Sequence, residues 1–159
     1  SRMDISIRAA VKVDLPTLKT FEQGIVEAER PYDPTINPDP VSYYDVGKMI
    51  KSDDTYVAVA ELGGKVIASG YVQKRPSLHY ISPPFHAFIG FLYVTPEQRG
   101  KGVNKQLLDS LFSWAKDNDL PKVHLKVYPE NAPAVKAYEK AGFKPYFLEM
   151  RVDLDAATE

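Results

Sequence analysis

Val94-Thr95-Pro96-Glu97-Gln98-Arg99-Gly100-Lys101-Gly102-Val103-Asn104 is the stretch whose reading decides the fold. It follows an apolar run, Ala87 to Val94, and opens an amphipathic segment whose apolar residues are Leu107, Leu108, Leu111, Phe112 and Ala115. The order is strand, tight basic turn, helix start. The first N–H groups of a helix have no intrahelical partner, and the helix dipole adds partial positive charge at the same end. Such a junction holds an anion such as phosphate. Gly100 and Gly102 permit positive φ and place no Cβ in the way, while Arg99, Lys101 and Lys105 add charge nearby. Two other phosphate loops fail on spelling. A Walker-type loop needs Ser or Thr after Gly-Lys, and here Gly102 follows Lys101; a dinucleotide fingerprint needs a third glycine where this chain has Lys105.

Working outward, Asp4 to Arg8 alternates as a short strand. Leu15, Leu18, Phe21, Ile25 and Val26 recur at helical spacing, with Asp14 as N-cap and Pro16 in the first turn. Four prolines between Arg30 and Pro40 forbid a regular element and stiffen the loop. A short helix is expected over Val41 to Lys51, capped by Asp39 with Pro40 at its first position. Thr55 to Glu61 and Lys65 to Gln73 read as strands joined at Gly63-Gly64, and Arg75 to Phe85 as a second proline-bearing loop. Ala87 to Val94 reads as a central strand buried on both faces, and the main helix as Gly102 to Asn118. Lys122 to Tyr128 alternates as a half-buried strand. Asn131 caps the next helix and Gly142 ends it. Phe147 to Leu154 alternates again as a last strand, with a frayed tail after Asp155. Antiparallel hairpins followed by strand–helix–strand–helix predict an α/β fold: a mixed, mostly antiparallel central sheet with helices on both faces. One domain over residues 3–155 is expected, with Ser1-Arg2 before Met3 read as a cloning remnant.

A chain of 159 residues suits one domain with a full core. Its net charge of −1 gives no global attraction to nucleic acid or an acidic membrane. The basic residues near Gly100 form a local cluster instead of the longer stripe a nucleic-acid surface needs. The absence of cysteine excludes disulfides, thiolate metal sites and a cysteine nucleophile. Three scattered histidines without spaced carboxylates predict no metal site. There is no apolar stretch of membrane length and no signal-peptide pattern at the start, so a cytoplasmic location is expected. No G-x-S-x-G elbow supports a serine hydrolase.

Gln98-Arg99-Gly100-Lys101-Gly102-Val103 resembles the Q/R-x-x-G-x-G/A acyl-CoA loop of the GNAT superfamily, the GCN5-related N-acetyltransferases. Asn131-Ala132-Pro133-Ala134-Val135-Lys136-Ala137-Tyr138-Glu139-Lys140-Ala141-Gly142-Phe143 looks like the family's N-x-x-A-x-x-x-Y-x-K-x-G-F. The two occur in the family's order, and the match runs from about Phe88 to Tyr146. The resemblance implies acetyl-CoA as co-substrate and an amine as acceptor. It implies that Gln98, Arg99, Gly100, Lys101, Gly102, Val103 and Asn104 grip the diphosphate. By the same analogy, the backbone of Leu92, Tyr93 and Val94 pairs with the pantetheine amides like an added strand. A strand splayed away near Val127 and Tyr128 would leave room for that arm. Asn131 contacts the pantetheine besides capping its helix, and Tyr138 touches the donor sulfur and protonates the leaving thiolate. An unperturbed phenol, with a pKa near about 10, is neutral at pH 7 and can donate.

Amide formation from a thioester needs a neutral amine, a donor for the oxyanion and a proton for the thiolate. For the base, the residues leave Glu27, Glu29, Asp33, Glu130 and His86 open, with His79 and His124 weaker. Glu29 is the first candidate. Glu27 and Glu29 flank the stiff proline loop, where two carboxylates attract a cationic amine, and Tyr32, Tyr43, Tyr44, Tyr71 and Tyr80 offer aromatic walls; a solvated helix end explains the carboxylates equally well, and packing explains most of the tyrosines. The expectation is direct transfer to a primary amine of a small molecule in a ternary complex. The alternatives are a peptide or protein acceptor, at an N-terminus or lysine, and an acyl-CoA sensor without catalysis. The last strand offers an edge for a homodimer.

Overall fold

Five strands lie side by side in chain order: β1 (Ile5–Ala9), β2 (Thr55–Leu62), β3 (Lys65–Pro76), β4 (Phe85–Val94) and β5 (Val123–His124). The first four are antiparallel and β5 runs parallel to β4. The structure, a computed structural model, describes residues 4–156. Ser1 and Arg2, expected to be a cloning remnant, lie outside the described residues. The chain divides into two compact units, one reaching to Lys126 and one beginning at Val127.

In the first unit, strand alternation sends side chains to two faces. Val57, Val59, Tyr71 and Phe91 face α1 (Leu15–Glu29) and α2 (Val46–Lys51), forming a core with Leu18, Phe21, Ile25 and Val46. On the opposite face, α3 (Val103–Asp117) buries Leu107, Leu108 and Leu111. Gly70 admits this close packing: a Cβ there would lie 3.2 Å from Leu111 and 3.3 Å from Leu107. The Tyr56 hydroxyl meets Ser110 of α3 at 3.0 Å. The fold is the expected α/β arrangement, a mostly antiparallel mixed sheet with helices on both faces. Among the described residues no helix is long and apolar enough to cross a membrane.

Several boundaries differ from the sequence reading, each for a physical reason. Asp14 does not cap α1 with its side chain. Its carboxylate takes the Arg8 guanidinium at 2.8 and 3.0 Å and the Val11 N–H at 2.8 Å. The helix expected from Val41 begins only at Val46, where Asp45 accepts from the Lys48 N–H at 3.2 Å. Residues 42–44 stay out of it because Glu22 binds their polar groups, and Asp39 pairs with Arg30 at 3.0 Å instead of capping. The hairpin strand β3 runs on through Pro76, three residues past its expected end. β4 begins at Phe85, two residues before the expected start.

β4 also carries an unexpected kink. Ser69 pairs with Tyr93 and Tyr71 with Gly90, so Phe91 and Leu92 together oppose Gly70. This is a β-bulge, and Phe91 absorbs it at φ 58, a backbone region non-glycine residues rarely adopt. The Ser69 hydroxyl donates to the Phe91 carbonyl at 3.1 Å.

β5 pairs with β4 only at Ala87–Phe88, so the expected strand from Lys122 to Tyr128 shrinks to two residues. From Ile89 onward, β4 has no strand partner on that side among the described residues.

In the second unit, α4 (Ala132–Lys140) is capped by the Asn131 side chain accepting from Ala134 N–H at 3.4 Å. It ends at Gly142, whose φ of 104 suits glycine. No strand forms over 147–154. Phe147, Leu148, Met150, Val152 and Leu154 lie exposed. The alternating pattern names two faces, but a strand also needs a neighbour for its backbone N–H and C=O groups, and none pairs with this segment among the described residues.

Candidate functional site

The junction of β4 and α3 is built from open amides. Among the described residues, the N–H groups of Gly100, Lys101, Gly102, Val103, Asn104 and Lys105 donate to no carbonyl; the first helical bond is Gln106 N–H to Gly102 at 3.3 Å. Gly100 (φ 74) and Gly102 (φ 82) take the left-handed region, with open space where a Cβ would stand. Two buried polar atoms beside the turn, Thr95 Oγ1 and Gln98 Oε1, have no hydrogen-bond partner among the described residues. A buried polar atom without a partner costs free energy. Open amides, left-handed glycines and orphaned polar atoms together fit an elongated phosphate ligand.

Side-chain charge contributes less than the sequence suggests. Arg99 folds back, its Nε donating to the Val94 carbonyl at 2.8 Å and its guanidinium 5.4 Å from the Tyr93 ring centre. Lys105 pairs with Asp109 at 3.1 Å on the helix surface. Lys101 is exposed and has no carboxylate partner among the described residues. Leu92, Tyr93 and Val94 lie on the part of β4 left unpaired on the β5 side. The Tyr93 ring packs on Phe21 with centroids 4.8 Å apart.

A second cluster lies on the α1 face, at the far end of that helix. Leu18, Glu22, Ile25, Val26 and Glu29 share one stripe of α1, so two carboxylates enter the apolar side. Glu22 is 4% exposed. It accepts the backbone N–H of Tyr43 at 2.6 Å and of Tyr44 at 2.8 Å, and the Ser42 hydroxyl at 3.3 Å. This anchor brings the Tyr43 phenol to the Glu29 carboxylate. Burial lifts Glu29 above the usual carboxylate range; the Tyr43 bond opposes the rise and the charge of Asp33 adds to it. Tyr44 packs edge-on against Tyr71 at 5.7 Å and tilts over Phe91 at 5.1 Å. Its phenol takes a hydrogen bond from the Phe91 backbone at the bulge, yet burial leaves its pKa raised. Gly90 matters for closeness: a Cβ there would stand 2.6 Å from Tyr71 Oη.

Asp33 lies near enough to Glu29 for its charge to act there; the remaining candidates fall elsewhere. Glu27 is exposed and lies 3.6 Å from Arg30, off the buried stripe; it does not join Glu29. Tyr32 is half-buried in the 3-10 turn Arg30–Tyr32 that follows Glu29. Asp33 is buried and accepts the Thr35 N–H and hydroxyl. Arg30 pins the proline loop through Asn37 O at 2.9 Å and Asp39 at 3.0 Å. His86 stacks on His124 at 4.1 Å and meets the Ser77 hydroxyl at 3.0 Å. Burial first, then the charges of His124 and Arg75, hold its pKa down. In the second unit, Tyr138 is half-buried on α4 and edge-on to Phe143 at 6.0 Å, Asn131 is the cap, and Glu130 is exposed.

Sequence reading did not single out Glu22, Arg75 or the Phe91 bulge. Glu22 had a signal, a carboxylate on an otherwise apolar helical stripe. The bulge had none, because Phe91 occupies a conformation that glycine would have advertised.

The sequence profile of the Acetyltransferase (GNAT) family matches residues 22–143. An uncharacterized N-acetyltransferase of Bacillus subtilis (strain 168) is 43% identical over 54 residues, 34% of this chain and 22% of that protein. An acetyltransferase of Pectobacterium atrosepticum is 27% identical over 103 residues, 63% of this chain and 65% of that protein. The chain thus spans less than two thirds of the length of either curated relative. A predicted acetyltransferase from Clostridium acetobutylicum, solved with acetyl-CoA, shares the fold at a TM-score of 0.69 and 20% identity, over 94% of this chain and 96% of that one. With the profile covering most of its length, the chain belongs to the acetyltransferase (GNAT) family.

Proposed function

We propose that this chain transfers an acetyl group from acetyl-CoA to the primary amine of a small molecule, by direct attack with both substrates bound. One observation carries the reading: the unpaired amides from Gly100 to Lys105, held open by two left-handed glycines at the start of α3. They match a diphosphate in charge and in donor number. The edge of β4 at Leu92, Tyr93 and Val94 has no strand partner and suits the amides of a pantetheine arm once Arg99 leaves the Val94 carbonyl.

Acetyl-CoA supplies the acetyl group as a thioester. Glu29 is the base: its half-buried, raised carboxyl accepts a proton from an ammonium more readily than an ordinary carboxylate does. Glu29 takes one proton from the ammonium, the amine nitrogen forms the C–N bond as the C–S bond breaks, and the second nitrogen proton balances the one delivered to the thiolate sulfur. Tyr138 is assigned that return, and Asn131 a contact to the donor, by the family resemblance. The pinned proline loop and the rings of Tyr43 and Tyr44 favour a small acceptor over a peptide, because they wall the cluster. Tyr32, in the turn that follows Glu29, keeps its expected role of contacting the acceptor. A cytoplasmic location and a homodimer paired through the exposed apolar segment at 147–154 complete the reading; sedimentation equilibrium tests the dimer.

Calorimetry with acetyl-CoA and thiol release against an amine panel test the proposal. Gly100→Glu adds a negative charge at a positive-φ position facing the open amides, and donor binding is expected to vanish. Wild-type affinity in that variant sinks the loop assignment. Tight donor binding with no acceptor-dependent thiol release points to a sensor.

A further inference from the structure

Arg75 takes no part in the proposed acetyl transfer. It sits on β3, two positions beyond Gln73 and four beyond Tyr71, so all three share the α1 face of the sheet. The residue is half-buried and its guanidinium is held from three sides. Nε donates to Gln73 Oε1 at 2.9 Å, Nη2 donates to Tyr71 Oη at 3.2 Å, and the group lies 4.0 Å over the Phe88 ring. Gln73 is itself held, donating to Thr55 Oγ1 at 3.0 Å.

All of these partners are neutral. Arg8 has Asp14 and Glu61, Arg30 has Glu27 and Asp39, and Arg151 has Glu149; Arg99 also lacks a carboxylate among the described residues, but it is exposed to water and its Nε is taken by the Val94 carbonyl. Arg75 has no carboxylate within ion-pair distance among the described residues, and its Nη1 donates to nothing there. The lack of compensation is felt nearby. Its charge works against the burial-driven rise of the Tyr71 phenol and adds to the lowering of His86. Arg75 is thus held in one orientation with Nη1 unused. A planar guanidinium with free N–H groups is suited to carboxylate or phosphate.

Its place in the wall gives that anion a context. Tyr71 accepts from Arg75 and packs on Tyr44; Tyr44 feels the charge of Glu29; Tyr43 bonds Glu29. One aromatic wall therefore carries a carboxylate at one end and a free guanidinium at the other.

We infer that Arg75 binds an anionic group on the acceptor, so that the substrate class is amines bearing a carboxylate or phosphate several bonds from the nitrogen. The inference rests on the proposed acetyl transfer with Glu29 as base. It separates this chain from transferases of polycationic amines, for which an unpaired arginine on the wall would be repulsive.

Matched probes test it: 4-aminobutyrate against its amide, and glucosamine 6-phosphate against glucosamine. Each is assayed with saturating acetyl-CoA in the wild type, Arg75→Gln and Arg75→Lys. In the wild type, kcat/KM for the anionic member of at least one pair is expected to exceed its neutral partner by ten-fold or more. Arg75→Gln should collapse that ratio toward one, mainly through KM, and Arg75→Lys should restore part of it. Circular dichroism and acetyl-CoA affinity check that the variants are folded. A wild type that prefers the neutral members, turns over none of the four, or keeps its ratio in Arg75→Gln overturns the inference. If acetyl-CoA itself does not bind, the underlying transferase reading fails instead, and calorimetry shows this before any acceptor is added.

Discussion

Glu29 shows how one side chain takes its chemistry from its surroundings. A solvated glutamate is a poor base for an ammonium. Partial burial and the neighbouring Asp33 charge raise its proton affinity, while Tyr43 limits the rise and fixes the carboxylate. Because the unprotonated carboxylate does the work, rate should climb as pH rises through a value above the ordinary glutamate range. Glu29→Gln should lower kcat by roughly 10²- to 10⁴-fold and abolish that acidic limb, with acetyl-CoA affinity retained. Stopped-flow thiol detection across pH checks both. An unchanged limb in the variant would move the base elsewhere.

At the level of elements, the segment between α1 and α2 is held by one carboxylate. Glu22 binds two successive amides, so the chain from Ser42 to Tyr44 is extended where helix propensity alone would have continued α2 backward. Glu22→Ala leaves these N–H groups without their charged acceptor, a loss of about 1–3 kcal/mol for each one that stays buried. Urea denaturation should register the lower stability. Kinetics should register more than stability does, since Tyr43 then loses its fixed approach to Glu29 and kcat falls. Leu111→Ala, on the α3 face, is the comparison: about 2–5 kcal/mol of stability lost, without that effect on the pH profile. The same element explains the expected helix start at Val41. Pro40 and Asp39 spelled a plausible beginning, but Asp39 was already engaged by Arg30, and the amides that would have continued the helix had a better acceptor.

For the whole molecule, the start of α1 is tied to the edge of the sheet through Arg8, which bridges Asp14 and Glu61. The Arg8 hydrogen bonds, ahead of the opposing cost of burial, hold the Asp14 carboxyl below the usual range, and the Val11 amide adds to this. A carboxyl with a lowered folded pKa contributes stability above its unfolded value, about 3.9, and that contribution is lost as pH falls through the folded pKa. The urea midpoint should therefore drop between pH 6 and pH 3, and drop less in Asp14→Asn. Equal losses in the two proteins would show that Asp14 does not report the acid transition.

Much of this was legible in the chain itself. Periodicity named the helices and strands because the 3.6-residue and two-residue repeats are local. The turn at Gly100 and Gly102 was legible because its φ requirement belongs to single residues. Glu29 was legible as a carboxylate at a helix end and as the first candidate for the base, but its partial burial beside Tyr43 and Asp33, against Glu27 exposed beside Arg30, was not. Only tertiary structure decided the Glu22 anchor, the bulge at Phe91, the isolation of Arg75 and the unpaired state of 147–154. Each depends on what stands opposite a residue in space, and a carboxylate, an arginine or a strand edge carries no mark in the sequence of whether its partner arrives.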